Sequence, residues 1–145
     1  MRAVVQRVTH GSVSVDGKTI ASINHGFVIL LGIEEGDTRE KADYLAKKIA
    51  FLRVFSDDDG KMNLSLRDID GSAIVVSQFT LMADTRKGNR PSFIKAAAPA
   101  IAADLVAYFT TALSNFGIDT QTGEFAAHMV VNIQNDGPVT ILFNH

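Results

Sequence analysis

Hydrophobic positions along the chain follow two periods, and the changes between them mark its elements. Residues 3–8 (Ala-Val-Val-Gln-Arg-Val) read as a strand, and residues 12–16 (Ser-Val-Ser-Val-Asp) alternate with the period of two of a half-buried strand. Asp16-Gly17 suits a tight hairpin turn, with residues 19–23 as the return strand. Residues 26–33 (Gly-Phe-Val-Ile-Leu-Leu-Gly-Ile) are apolar without alternation, which predicts a strand covered on both faces. The period then lengthens. Ala42, Leu45, Ala46, Ile49 and Leu52 recur at helical spacing, and Asp37-Thr38-Arg39-Glu40 before them reads as a capping box with Asp37 as N-cap.

Residues 53–55 predict a short strand and 56–60 a turn. Residues 73–81 read as an apolar strand whose far end turns polar, followed by a polar loop over 84–95. Pro99 suits the first position of a second helix, whose apolar face is Ile101, Leu105, Phe109, Ala112, Leu113 and Phe116, with Gly117 at its end. Residues 118–122, 128–134 and 139–143 complete the strands, the last two joined by a turn at Asn135-Asp136-Gly137-Pro138. Short strands joined by tight turns predict an α+β fold: a mainly antiparallel, barrel-like sheet with two outer helices. Without repeats or an internal boundary, residues 1–145 read as one domain.

Composition narrows the chemistry. The chain has 145 residues, 46% hydrophobic and 21% charged, enough to bury a sizeable core. The absence of cysteine excludes disulfides and thiolate metal sites. No apolar run is long enough to span a bilayer, and the first residues lack a signal peptide's apolar stretch, so the expectation is a cytoplasmic protein with no membrane contact. Net charge is −2 and the isoelectric point about 6.0. A protein gripping a long duplex carries a basic footprint. Here any nucleic-acid contact is confined to a short end and a local basic patch. Asp57-Asp58-Asp59-Gly60 lacks the spacing of a calcium loop, and His10, His25, His128 and His145 are not at metal-ligand spacing. A Gly-x-Ser-x-Gly elbow and a phosphate-binding glycine loop are both missing. No metal or cofactor is expected.

Two segments carry more than a bland reading. In Ser77-Gln78-Phe79-Thr80-Leu81 an apolar strand ends in polar side chains that need partners, either a structural network or a polar substrate. Asn135-Asp136-Gly137-Pro138-Val139-Thr140 reads physically as a hairpin turn with proline opening an edge strand. Together they resemble the paired signature of the D-aminoacyl-tRNA deacylase family. Val5-Gln6-Arg7-Val8, Gly60-Lys61-Met62-Asn63, Asn89-Arg90-Pro91-Ser92-Phe93 and Thr120-Gln121-Thr122-Gly123 extend the resemblance over essentially the whole chain. The chain departs from the family pattern at His128, where an acidic residue or methionine is usual.

The resemblance implies a homodimeric hydrolase that cleaves the ester between a D-amino acid and tRNA, and by extension glycyl-tRNA, a proofreading of homochirality in translation. It implies an active site shared between subunits. Ser77, Gln78, Phe79 and Thr80 of one subunit would form the catalytic floor. The Gly137-Pro138 turn of the other, with a cis peptide bond and braced by Arg7, would capture the α-amino group and exclude an L side chain. Backbone N–H groups of Phe79 and Thr80 would form an oxyanion hole. Phe79, Phe125 and Met129 would lie near the substrate, and Lys87, Arg90 and Lys95 would touch tRNA phosphates near the aminoacylated 3′ end. The attacking group is either Thr80 Oγ or water helped by the terminal 2′-hydroxyl, and no residue in the sequence supplies a base beside Thr80. Two other classes remain: a nucleic-acid-binding module on a small barrel, disfavoured by few aromatics and low isoelectric point, and a structural dimerisation domain, which leaves Ser77–Thr80 unexplained.

Overall fold

A computed structural model describes residues 1–145. The main sheet contains β1 (Arg2–Val15), β2 (Lys18–Ile23), β3 (Gly26–Gly32), β6 (Ser72–Ser77), β7 (Asp119–Thr122) and β8 (Met129–Asn144). Its order is β2-β1-β3-β6-β7, with β8 paired to β1 on that strand's other side. The short β4 (Phe55–Ser56) and β5 (Met62–Leu64) form a separate hairpin; the expected strand at 53–55 is displaced, and its partner was not anticipated. The two helices are α1 (Arg39–Ala50) and α2 (Pro99–Ser114).

The expected sheet was mainly antiparallel; the observed one is mixed. β1 pairs antiparallel with β2, β3 and β8, but β3–β6 and β6–β7 are parallel. The cause lies in the helices. α1 lies between β3 and β6 in the chain, and α2 between β6 and β7. A parallel neighbour requires a crossover, and a helix is its usual form. The main sheet nearly closes on itself where the Gln121 amide of β7 pairs with both backbone groups of Ser22 on β2, accepting from its N–H at 2.8 Å and donating to its carbonyl at 2.9 Å.

Residues 26–33 are apolar without alternation because the sheet is covered twice. Phe27, Ile29 and Leu31, with Ala73 and Val75, pack against Leu45, Ile49, Leu105, Phe109 and Leu113 of the helices. Val28, Ile74 and Val76 face the other way, onto Val8, Val13, Ala21 and Ile23 inside the curled sheet.

Four other expectations change. The two strands predicted at 3–8 and 12–16 are one strand, β1, ending at Val15, because β8 pairs along nearly its whole length. The strand predicted over 73–81 stops at Ser77, and Phe79–Met82 forms a 3-10 turn. The predicted Asn135–Pro138 turn is a bulge inside the single long strand β8, bridged across by β1. The N-cap of α1 is Thr38, and Asp37 serves elsewhere. Asp16-Gly17 has the expected positive φ values, 49° and 75°.

Candidate active site

A cleft of about 520 Å³ opens at the carboxyl ends of the parallel strands β3 and β6. That end of a parallel sheet is where ligand crevices form, because strands stop there and loops diverge. Leu31, Val76 and the first turns of α2 make its apolar body. Ser77, Gln78 and Phe79 line it at the end of β6, and the segment Phe125–Met129 forms a further part of the wall.

The floor forms where β6 leaves the sheet. Gln78 N–H still donates to Leu31 O at 2.8 Å, the last bond beyond the β3–β6 ladder. The chain then coils, with Leu81 N–H on Gln78 O and Ala83 N–H on Thr80 O, both at 3.1 Å, and Met82 buried. The first N–H groups of such a turn have no acceptor behind them. Those of Phe79 and Thr80 bond to no other group of the chain, and both residues are exposed. Gln78 Nε2 donates to Thr80 Oγ1. The Phe79 ring packs edge-on to Phe93 with centroids 5.0 Å apart, tying the turn to the polar loop.

Of the expected site residues, Ser77, Gln78, Phe79, Phe125 and Met129 line the cleft. Thr80 sits beside it in the turn but is not part of its wall. Its hydroxyl has no carboxylate or imidazole bonded to it. His128, at the departure from the family pattern, is the only titratable side chain in the cleft wall. The walls also include Ala96, Ala97, Pro99 and Ala102, which sequence reasoning missed. Small apolar side chains carry no chemical signal; they matter here because they leave room. Ala126 is a further surprise, a non-glycine at φ 64° in the wall.

Gly137, Pro138 and Arg7 do not reach this cleft. Arg7 and Asp136, the residue before Gly137, instead line a second hollow. The Gly137–Pro138 peptide is cis, and both residues are exposed. Asn135 clamps the bulge by accepting from Val139 N–H at 2.8 Å and donating to Val139 O at 3.1 Å. Arg7 is buried beneath it, with Nε donating to Asp136 O at 3.0 Å and Nη1 to Val54 O. A Cβ on Gly137, whose φ is 127°, would stand 2.9 Å from Arg7 Nη2. The bulge is thus a rigid, outward-pointing feature that its own chain's cleft does not use.

Lys87, Arg90 and Lys95 are exposed on or beside the loop that Phe93 joins to the turn. Arg86 in the same loop is held by Asp84, with Nε at 2.9 and 3.1 Å from its two oxygens. That guanidinium and its backbone N–H keep the Asp84 carboxyl well below the usual range. No helix is long and apolar enough to cross a membrane.

A nearly closed mixed sheet, helices on one face and an apolar cleft edged by free backbone donors define a small α+β barrel. The model of the family D-Tyr-tRNA(Tyr) deacylase matches residues 4–144, and the chain belongs to that family. The D-aminoacyl-tRNA deacylase of Lacticaseibacillus casei (strain BL23) is 54% identical over 144 residues, covering 99% of this chain and 97% of that one. A solved structure of the c-Myc DNA Unwinding Element Binding Protein superposes with a TM-score of 0.94 at 41% identity, covering 100% and 99% of the two chains. A probable eukaryotic D-amino acid tRNA deacylase shares the fold, with a TM-score of 0.83 at 15% identity over 98% and 97%.

Proposed function

We propose that the protein hydrolyses the ester of D-aminoacyl-tRNA, releasing free D-amino acid and tRNA, and so guards homochirality in translation in the cytoplasm. The observation that carries this reading is the pair of free N–H groups of Phe79 and Thr80 at the edge of a cleft without a carboxylate. The ester carbonyl oxygen faces those donors and takes up negative charge as water adds to the carbon. The bond to the ribose 3′-oxygen then breaks, and that oxygen takes a proton. The terminal 2′-hydroxyl assists the water, because Thr80 Oγ has no base to activate it. Position and fixed dipoles supply the catalysis, and the reaction as written uses no cofactor or metal. Phe79 and Phe125 pack near the terminal adenosine, with Met129 behind. Lys87, Arg90 and Lys95 take the nearby phosphates.

The chiral filter is the Gly137-Pro138 bulge of a second copy, and residues 1–145 act as one unit of that homodimer. Support comes from the bulge's exposure and its absence from its own chain's cleft wall. It also comes from β8, whose only strand partner is β1, and which shows Val130 and Leu142 at 56% and 76% exposure. A long free edge is a template for another strand. Carbonyls of the inserted bulge hold the α-amino group, an L side chain meets the bulge, and a D side chain points out. Glycine has nothing to exclude, so glycyl-tRNA is also cleaved.

The test is deacylation of matched D- and L-tyrosyl-tRNA by the purified protein. Hydrolysis of the D form alone is the expected result. Equal rates, or no hydrolysis, sink the proposal; tRNA retention without hydrolysis would favour a binding module instead.

A further inference from the structure

The β1–β3 register sets Arg2 directly opposite Gly32. Opposed residues point to the same face of a sheet. On that face sits the Phe79–Met82 turn. A Cβ on Gly32 would stand 2.9 Å from Gln78 O, 3.0 Å from Leu81 Cβ and 2.8 Å from Met82 Cε. The thioether can swing aside, but Gln78 O and Leu81 Cβ are parts of the turn region itself. The φ of Gly32 lies outside the left-handed region, so space alone demands glycine there. Arg2 reaches the turn from the opposing strand: Nη1 donates to Leu81 O at 2.8 Å, while Nε is buried without a partner. An unmatched buried donor costs stability. The one hydrogen bond that this side chain makes goes to the turn.

We infer that Arg2 and Gly32 are positioning residues for the catalytic turn. Gly32 sets how deeply the turn seats on β3, and Arg2 fixes its rotation through the Leu81 carbonyl. Neither residue belongs to the cleft wall, so both act only through the N–H groups of Phe79 and Thr80. The kinetic part rests on the deacylase reading; the structural part does not.

The experiment pairs hydrogen exchange over residues 78–83 with kcat and KM on D-tyrosyl-tRNA for wild type, Arg2→Met, Arg2→Lys and Gly32→Ala. Faster exchange of the Leu81 and Ala83 amides is expected in Arg2→Met, with β6 unchanged and Arg2→Lys close to wild type. kcat should fall about 10- to 100-fold in Arg2→Met and Gly32→Ala with KM nearly constant, because donors displaced by a fraction of an ångström miss the developing charge. Adding Met82→Ala to Gly32→Ala should not restore kcat; restoration would mean that the thioether and not the turn is displaced, which overturns the role given to Gly32. Unchanged exchange at 78–83 in Arg2→Met overturns the role of Arg2 whatever the activity, as does normal kcat beside faster exchange. Exchange spread through β3 and β6 also overturns it, since that marks a merely structural residue. A wild type that fails to discriminate D from L sinks the deacylase reading, while the exchange data still decide the positioning.

Discussion

At the scale of single residues, the site separates what a side chain does from what its backbone does. In the sequence Thr80 Oγ is one of two candidate attacking groups, the other being water helped by the terminal 2′-hydroxyl. In the structure its hydroxyl accepts from Gln78 Nε2, and no group beside it takes its proton. In the proposed mechanism the useful part of Thr80 is its N–H, which any residue but proline supplies. Thr80→Ala should therefore keep D-tyrosyl-tRNA turnover within about tenfold of wild type in single-turnover assays. Removing a true nucleophile or its proton transfer costs about 10²-fold or more, so a loss of that size would place the hydroxyl in the chemistry. Arg7 teaches the complementary lesson. A strand arginine is usually a surface residue, yet this one is buried, and its partners, Asp136 and Val54, are far along the chain. Spacing alone does not reveal such a partner.

At the scale of elements, the entry to α1 shows why local signals failed where they did. Asp37 has the right chemistry for an N-cap. It is taken by stronger partners: the Met1 ammonium at 2.7 Å, Glu34 N–H at 2.7 Å and Lys41 Nζ at 3.1 Å. Its side chain is 1% exposed, and Thr38 caps the helix instead. Burial alone would raise its pKa; the hydrogen bonds from the ammonium, Glu34 and Lys41 outweigh burial and lower it below 3.8. A lowered folded pKa gives stability that is present above the unfolded value and lost as pH falls through the folded one. Asp37→Asn should thus cost about 3–5 kcal/mol at pH 7, the typical loss when one partner of a buried pair is removed. Urea titrations should show the gap from wild type shrinking below pH 4, and a pH-independent gap would refute the ion pair. The same limit explains the other changes. Asp16-Gly17 was legible because a turn depends on its own residues. The end of β6 was not, since the coil at Phe79 depends on room at Gly32, distant in sequence. Pro138 seemed to split β8, but Asn135 and β1 hold the strand across the bulge.

At the scale of the whole molecule, one chain displays both halves of the proposed site and joins neither to the other. The cleft edge carries the Phe79–Thr80 donors, and the Gly137-Pro138 bulge lies outside the cleft wall, against Arg7. If the halves meet only between copies, defects on different chains should complement. Phe79→Pro removes one free N–H at the first position of its turn, which tolerates proline, and should lower turnover about 10²–10³-fold. Gly137→Ala places a Cβ against Arg7 Nη2 at an unfavourable φ and shifts the bulge, so L-tyrosyl-tRNA should be admitted. Every working turn in a mixture of the two variants comes from the Gly137→Ala chain. In a shared site, that turn regains a normal bulge whenever its partner is the Phe79→Pro chain. Co-refolding with increasing Phe79→Pro chain should then suppress hydrolysis of L-tyrosyl-tRNA while hydrolysis of the D form persists. In a site built within one chain, each working turn keeps its defective bulge, and the ratio of L to D hydrolysis stays constant at every mixing ratio. A constant ratio, measured with heterodimer formation confirmed by native mass spectrometry, would therefore return the chiral filter to the chain that carries the cleft.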